Sequence, residues 1–215
     1  MALSFYCLQK FSPNLREVFS HAINYHNGLL PGYRGLKATA WSVYQGDKET
    51  GFMFHRMSKE LDEGPILVQG AVPVSPDSST VDLDLEKVIA AATNYIPHVL
   101  RMVVDGYPGE PQSGKGRCFS RADYVAVTRI PDPSSLSIAE LTRRLRAFGG
   151  LRIRIANRWH KATKIREIPE RFCEKGRCCF RTSDGVMVEP LRFRHLPYAL
   201  VRGWVRKWLF GKLTP

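Results

Sequence analysis

The chain has 215 residues, 44% of them hydrophobic, and a formal net charge of +12. That size and apolar content suit one domain with an appendage, or two small domains, and exclude wholesale disorder. No run approaches the roughly 18 apolar residues of a membrane span. The start, MALSFYCLQKF, has no small-residue cleavage site and is not read as a signal peptide, and the five cysteines point to a reduced, cytoplasmic protein. The charge is uneven: residues 1–100 carry 8 Lys and Arg against 10 Asp and Glu, whereas residues 101–215 carry 24 against 10. A basic second half suits a phosphate-bearing partner, whether nucleotide, RNA or anionic surface, with a merely solvated basic face as the equal alternative.

In chain order, LSFYCLQKF (3–11) is apolar and β-prone and predicts a buried strand. SPNLREVF (12–19) opens on Ser-Pro and predicts a short helix. HAINYH (21–26) predicts a strand that runs into a turn at Pro31-Gly32. KATAWSVYQG (37–46) spaces Ala38, Trp41 and Tyr44 as one helix face and stops at Gly46. TGFMFHRM (50–57) alternates as a strand, with Phe52, Phe54 and Arg56 on one face and Met53, His55 and Met57 on the other. PILVQGAVPV (65–74) predicts a strand broken at Gly70. Residues 80–106 predict a long helix kinked at Pro97. Strands alternating with helices argue for an α/β sheet.

GYPGEPQSGKGR is rich in Gly and Pro and predicts a linker over 107–120. Beyond it, DYVAVTRI predicts a strand, and SIAELTRRLRAF (137–148) a helix opened by a Ser cap with Glu140 three residues on. LRIRIAN alternates as a strand, and CCFRTSDGVMVEPLRF predicts a hairpin around Ser183-Asp184-Gly185. Residues 121–195 thus form a small basic α+β, β-rich domain. LPYALVRGWVRKWLFGKL, with Leu200, Trp204, Trp208 and Leu209 near one face, predicts an amphipathic helix over 196–215.

Asn24 and His26 are i and i+2 on a strand, so both side chains leave one face. They sit at the carboxyl end of that strand, where open α/β sheets place ligands. Asp62 lies in a polar loop after the next strand and can reach the same crevice. An amide, an imidazole and a carboxylate together suit acyl transfer: the first two stabilise an oxyanion, and the carboxylate orients the imidazole and helps move protons. A lone strand-end histidine is more often just hydrogen-bonded, and spacing alone leaves that alternative open.

The ordered pieces INYHNGLLPGYRG, Thr50-Gly51 and LDEGPIL resemble the signature of the folate-dependent formyltransferase family, which includes glycinamide ribonucleotide, methionyl-tRNA and amino-sugar formyltransferases. Asn24 and His26 match its N-x-H. Leu29, Leu30, Pro31, Arg34 and Gly35 match its turn, and Asp62 and Gly64 match its D-x-G. The resemblance covers residues 1–105 closely and the start of the basic part loosely. It implies a partial formyltransferase-type Rossmann-like sheet over residues 1–106, and formyl transfer from 10-formyltetrahydrofolate to a primary amine without a metal. Asn24 and His26 would bind the carbonyl oxygen; Asp62 would fix His26 and accept the amine proton. The donor would lie against Gln9, Lys10 and Phe11, and against Leu30, Pro31 and Asp62. An amino-sugar nucleotide or a specialised-metabolite amine is the preferred acceptor. Methionyl-tRNA formylation, hydrolysis of the folate donor, and a non-catalytic module binding RNA or protein through the basic part are the alternatives.

Two departures accompany the match. Gly28 stands where many relatives have Ser, and Asn27 where some have Pro. Family members also carry about a hundred residues ahead of N-x-H, and the resemblance leaves four explanations open: a homodimer, a separately encoded N-terminal half, an authentic start upstream, or a decayed gene product. Elsewhere bland readings are preferred. His55 is read as structural, Cys173, Cys178 and Cys179 have a poor zinc spacing, and Lys115 in SGKGR lacks the context of a phosphate loop.

Overall fold

The computed structural model describes residues 1–7, 11–173 and 178–192. The expected helix over 196–215 lies outside the described residues, as do Gln9 and Lys10. In chain order the elements of the first half are β1 (Ala2–Ser4), α1 (Pro13–Glu17), β2 (Ala22–His26), β3 (Tyr33–Gly35), α2 (Ala38–Gln45), β4 (Glu49–Arg56), β5 (Ile66–Pro73), α3 (Thr80–Ala90) and α4 (Ile96–Val104). The second half adds β6 (Arg117–Phe119), α5 (Arg121–Thr128), β7 (Arg129–Ile130), α6 (Ile138–Phe148), β8 (Leu151–Ile155), β9 (Arg158–Ala162), β10 (Lys164–Glu167), β11 (Phe180–Arg181) and β12 (Met187–Leu191).

The main sheet has the order β1-β2-β4-β5. β1 runs parallel to β2, and β2, β4 and β5 are antiparallel in turn. Period-two alternation divides its faces. Ile23, Tyr25, Phe52 and Phe54 bury one face against Val99 and Val103 of α4, a cluster that Ala91 and Leu67 complete. Its aromatic rings meet edge-on, Tyr25 with Phe54 at 5.4 Å and Phe52 with Tyr95 at 5.2 Å. The opposite face carries Asn24, His26, Met53 and His55.

Several expectations change. The first strand ends at Ser4, since Tyr6 takes a left-handed backbone (φ 54°) that no strand continues through. β5 does not break at Gly70. That residue lies opposite Phe52, and a Cβ there would come within 2.4 Å of the Phe52 ring, so the glycine is a slot for the ring. The register shift falls instead between Phe54 and His55. The long helix is interrupted by a π-turn over Ala91–Tyr95, just ahead of Pro97. Proline lacks the N–H and crowds the carbonyl four residues back, which a widened turn relieves.

DYVAV is helical, and only Arg129–Ile130 are strand. Ser120 and Asp123 form a reciprocal capping box, which outweighs the β-branched residues that follow. Residues 107–120, expected as a linker, are tied down. Ile66 and Glu110 exchange two backbone hydrogen bonds of 2.8 Å, and β6 pairs in parallel with β3.

Ile130, Leu141, Leu151, Ile153 and Ala162 form the core of the basic part. α6, capped by Ser137 as expected, packs on α2, with Phe148 against Trp41 (5.0 Å) and the Tyr44 hydroxyl donating to Glu140 (2.8 Å). The hairpin around Ser183–Gly185 forms between β11 and β12. β9 and β10 are additional strands that the sequence pattern did not separate. Cys173 and Cys179 form a disulfide, where the sequence reading expected reduced cysteines, and Cys118 and Cys178 remain thiols. Among the described residues no helix is long and apolar enough to cross a membrane, and no three His, Cys, Asp or Glu side chains gather as a metal site.

Candidate active site

β2 ends at His26, and its alternation sends Asn24 and His26 to the same face of the sheet. Antiparallel pairing sets His55 of β4 directly opposite Asn24. The β4–β5 loop then returns Asp62 to this cluster. Asp62 itself has a left-handed backbone (φ 57°), a conformation aspartate tolerates better than most residues. Gly64 lets the loop close: a Cβ there would lie 1.7 Å from the Arg56 carbonyl oxygen. Gln112 locks the loop from outside, donating to the carbonyls of Asp62 (2.8 Å) and Gly64 (2.9 Å). Gly64→Ala is therefore expected to destabilise the protein by at least about 1–3 kcal/mol. It should also displace Asp62, and the loss of stability is read as a lower melting temperature.

The side chains form one connected group. His26 Nδ1 is 3.4 Å from Asp62 Oδ2, and His26 Nε2 is 2.5 Å from the Tyr33 carbonyl oxygen. Asp62 Oδ2 also accepts from the Gly35 N–H at 2.9 Å. His55 Nδ1 lies 2.9 Å from the Arg56 carbonyl, which can only accept, so this nitrogen carries the hydrogen. In the neutral ring His55 Nε2 is then an acceptor, and it takes an N–H from Asn24 Nδ2 at 3.2 Å. The same Nε2 stands 3.5 Å from Asp62 Oδ1.

Burial decides the charge states. His26 is 7% exposed and Asp62 6%. Desolvation pushes the His26 imidazole below its ordinary 6.5, although the Asp62 carboxylate and the Tyr33 carbonyl both oppose this. Burial alone would push the Asp62 carboxyl up. The histidines His55 and His26 beside it and the Gly35 N–H override it and hold the carboxyl below its ordinary value. The resting state therefore pairs a neutral imidazole with a carboxylate. The 3.4 Å gap between them receives a proton at His26 Nδ1 without a change of partners.

Of the residues picked out by sequence, Asn24, His26 and Asp62 are brought together. Leu30 and Pro31 lie in the loop that follows β2. Leu30 is buried, and its N–H points at the Met53 sulfur (3.0 Å); its bond to Pro31 is cis. Phe11, half-buried just ahead of α1, is not among the groups that bond to Asn24, His26, His55 or Asp62. Sequence reasoning read His55 as structural; the structure places its Nε2 between Asn24 Nδ2 (3.2 Å) and Asp62 Oδ1 (3.5 Å). The signal for it was strand register, which a single sequence does not state. Tyr33 O, Gly35 N and Gln112 were also missed, the first two because main-chain groups leave no mark on residue identity.

His55→Phe removes the acceptor that orients the Asn24 amide while keeping bulk. It is expected to lower the turnover of any reaction at this site by about tenfold, the scale of one hydrogen bond to a reacting group. His55→Gln, which restores an acceptor, should recover part of the loss in the same steady-state assay.

Known proteins resemble parts of this chain. Residues 4–100 match the model of the formyl transferase family. GDP-perosamine N-formyltransferase from Brucella melitensis is 35% identical over 100 residues, covering 46% of this chain and 38% of the relative. Methionyl-tRNA formyltransferase from Dechloromonas aromatica is 32% identical over 126 residues, covering 59% of this chain and 39% of the relative. Among solved structures, an N-formyltransferase from Helicobacter canadensis in complex with folinic acid and dTDP-3-aminofucose superposes with a TM-score of 0.55 at 20% identity, covering 80% of this chain and 66% of that one. The fold and the match define an α/β protein of the formyltransferase type. Residues 4–100 are thus similar to the formyltransferase family. The chain spans about two fifths of the length of the curated relatives it matches.

Proposed function

We propose that the protein moves a formyl group from 10-formyltetrahydrofolate to the primary amine of an amino-sugar nucleotide. The observation that carries this reading is the closed group of Asn24, His26 and Asp62 at the end of β2, inside the segment that matches the family. The donor is supported by the folinic acid named for the Helicobacter structure. The acceptor is supported by dTDP-3-aminofucose in the same structure and by the GDP-linked sugar named for the Brucella relative.

The residues suit the chemistry. When an amine adds to a formyl carbon, negative charge develops on oxygen and a proton must leave nitrogen. Asn24 is half-exposed and spends one N–H on His55, leaving the other for that oxygen. His26 and Asp62 take up the proton: Asp62 is already ionised, and the imidazole beside it becomes stable as a cation once its Nδ1 is protonated. The proton then passes to the departing tetrahydrofolate nitrogen, so the site ends as it began.

The test is an assay with 10-formyltetrahydrofolate and a panel of dTDP- and GDP-linked amino sugars. Acceptor-dependent release of tetrahydrofolate, with a formamide on the sugar by mass spectrometry, supports the proposal. Release that ignores the amine identifies a hydrolase instead. Failure to bind folate in a calorimeter overturns both.

A further inference from the structure

Behind the strand end that carries Asn24 and His26 lies a second polar cluster, which the proposed reaction does not use. Lys87 of α3 is 0% exposed. Its Nζ donates to the main-chain carbonyls of Asn27 (3.1 Å) and Gly51 (3.1 Å), and contacts Thr39 Oγ1 (2.6 Å) and Thr50 Oγ1 (3.3 Å). Asp84, one turn earlier on the same helix, accepts from the Tyr6 hydroxyl (3.0 Å), Asn27 Nδ2 (2.5 Å) and Thr39 Oγ1 (2.5 Å). The hydrogens assign themselves. Thr39 gives its single proton to Asp84, so its lone pairs accept from Lys87 and from Asn27 Nδ2 (3.1 Å). The chain thus places an acid and a base of opposite charge in the interior, joined through one threonine hydroxyl.

The cluster converges on Asn27, the residue that follows His26. Its carbonyl is gripped by Lys87, its amide nitrogen by Asp84 and Thr39, and its amide oxygen by the Tyr25 hydroxyl (3.0 Å). Gly51, pinned by the same ammonium, is a residue of β4, the strand that pairs with β2. One nitrogen therefore registers the end of β2, the N-terminal turn of α2 and the beginning of β4. A buried ammonium is costly unless its donors are met, and here all three are met by groups that frame the candidate site. The next residue, Gly28, is tight as well: a Cβ there would lie 2.5 Å from the Ala38 Cβ and 3.1 Å from His26 Nε2.

We propose that Lys87 is a positioning residue for His26, holding the Asn27 and Gly51 main chain in place, with Asp84 as its counter-charge delivered through Thr39. The inference rests on the proposed role of His26. It adds an electrostatic link, since the Lys87 cation disfavours a second positive charge on the His26 ring. Burial pushes the Lys87 ammonium down to about 7, against the pull of Asp84. The titratable groups facing the cluster are Asp84 on α3, Tyr6 after β1, and Tyr25 and His26 on β2. From α2 and β4 only hydroxyls and a carbonyl reach the ammonium, and Asp62 and His55 act on the far side of His26.

The test follows the His26 ring by NMR through a pH titration of the full chain, with its signals assigned by His26→Gln. In Lys87→Met, if folded by circular dichroism, the His26 titration should move to higher pH and its ring signals should shift. The kcat for transfer should fall by about ten- to a hundredfold with KM little changed, as for a displaced reacting group. A folded Lys87→Met with an unchanged His26 titration overturns the proposal. If that variant does not fold, the wild-type titration decides. A second inflection in the His26 signals, at the pH where the Lys87 Cε signal titrates, supports the link, and a single inflection overturns it. Because the NMR readout needs no turnover, a protein with no transferase activity would sink the functional reading while leaving the Lys87–His26 link separately testable.

Discussion

His26→Ala is expected to slow formyl transfer by about 10²–10⁴, the range for removing a positioned group that takes up a proton in the transition state. Folate affinity measured by calorimetry should stay within a few fold, since the imidazole contributes to the reacting centre and is itself 7% exposed. A rate within a few fold of wild type would overturn the assigned role. The substitution also carries a stability signature. Burial lowers the His26 pKa below 6.5, so the unfolded chain binds the extra proton more readily than the folded one. That contribution is complete above pH 6.5 and is lost as pH falls from there through the lower folded value. Melting temperatures recorded downward from pH 7 should therefore sag in the wild type, and sag less in His26→Gln.

Asp62→Asn should have a comparable or larger effect, about 10²–10⁴ on the transfer rate, because it removes the group that receives the proton and the partner that stabilises a charged His26. Asparagine keeps the size and can still accept from the Gly35 N–H, so the folded loop should survive. The stability change again has a definite sign. The Asp62 pKa is depressed below 3.8, so its carboxylate stabilises the fold at pH values above 3.8, and that stability disappears as pH falls through the folded value. The difference in melting temperature between wild type and Asp62→Asn should therefore shrink in strong acid. A difference that is constant with pH would show that the carboxylate charge does not contribute.

What the sequence disclosed was whatever period and neighbouring residues encode. The i, i+2 relation put Asn24 and His26 on one face, Gly46 closed α2 in the left-handed conformation, and Ser137 capped α6. What it did not disclose depends on which segments meet. His55 enters the site only because β4 pairs with β2 in a register that sets it against Asn24. Glycines misled in a consistent direction. Gly70 and the glycines of 107–120 suggested a break and a linker, yet Gly70 admits the Phe52 ring, and Gly116 lets the chain pass where a Cβ would lie 1.8 Å from the Pro31 carbonyl oxygen. Close approach and looseness use the same residue, and only the neighbours distinguish them. In residues 121–128 the β-branched side chains argued for a strand, while a two-residue cap, Ser120 with Asp123, committed the chain to a helix.

Asn24, His26, His55 and Asp62 all fall within residues 24–62, on two adjacent antiparallel strands and the loop that leaves them. The proposed reacting centre is thus a single contiguous block of chain. The surfaces that recognise an acceptor can be replaced around it while the proton-handling groups keep their mutual distances. For engineering, the segment to graft is this one, taken together with the helix that bears Asp84 and Lys87.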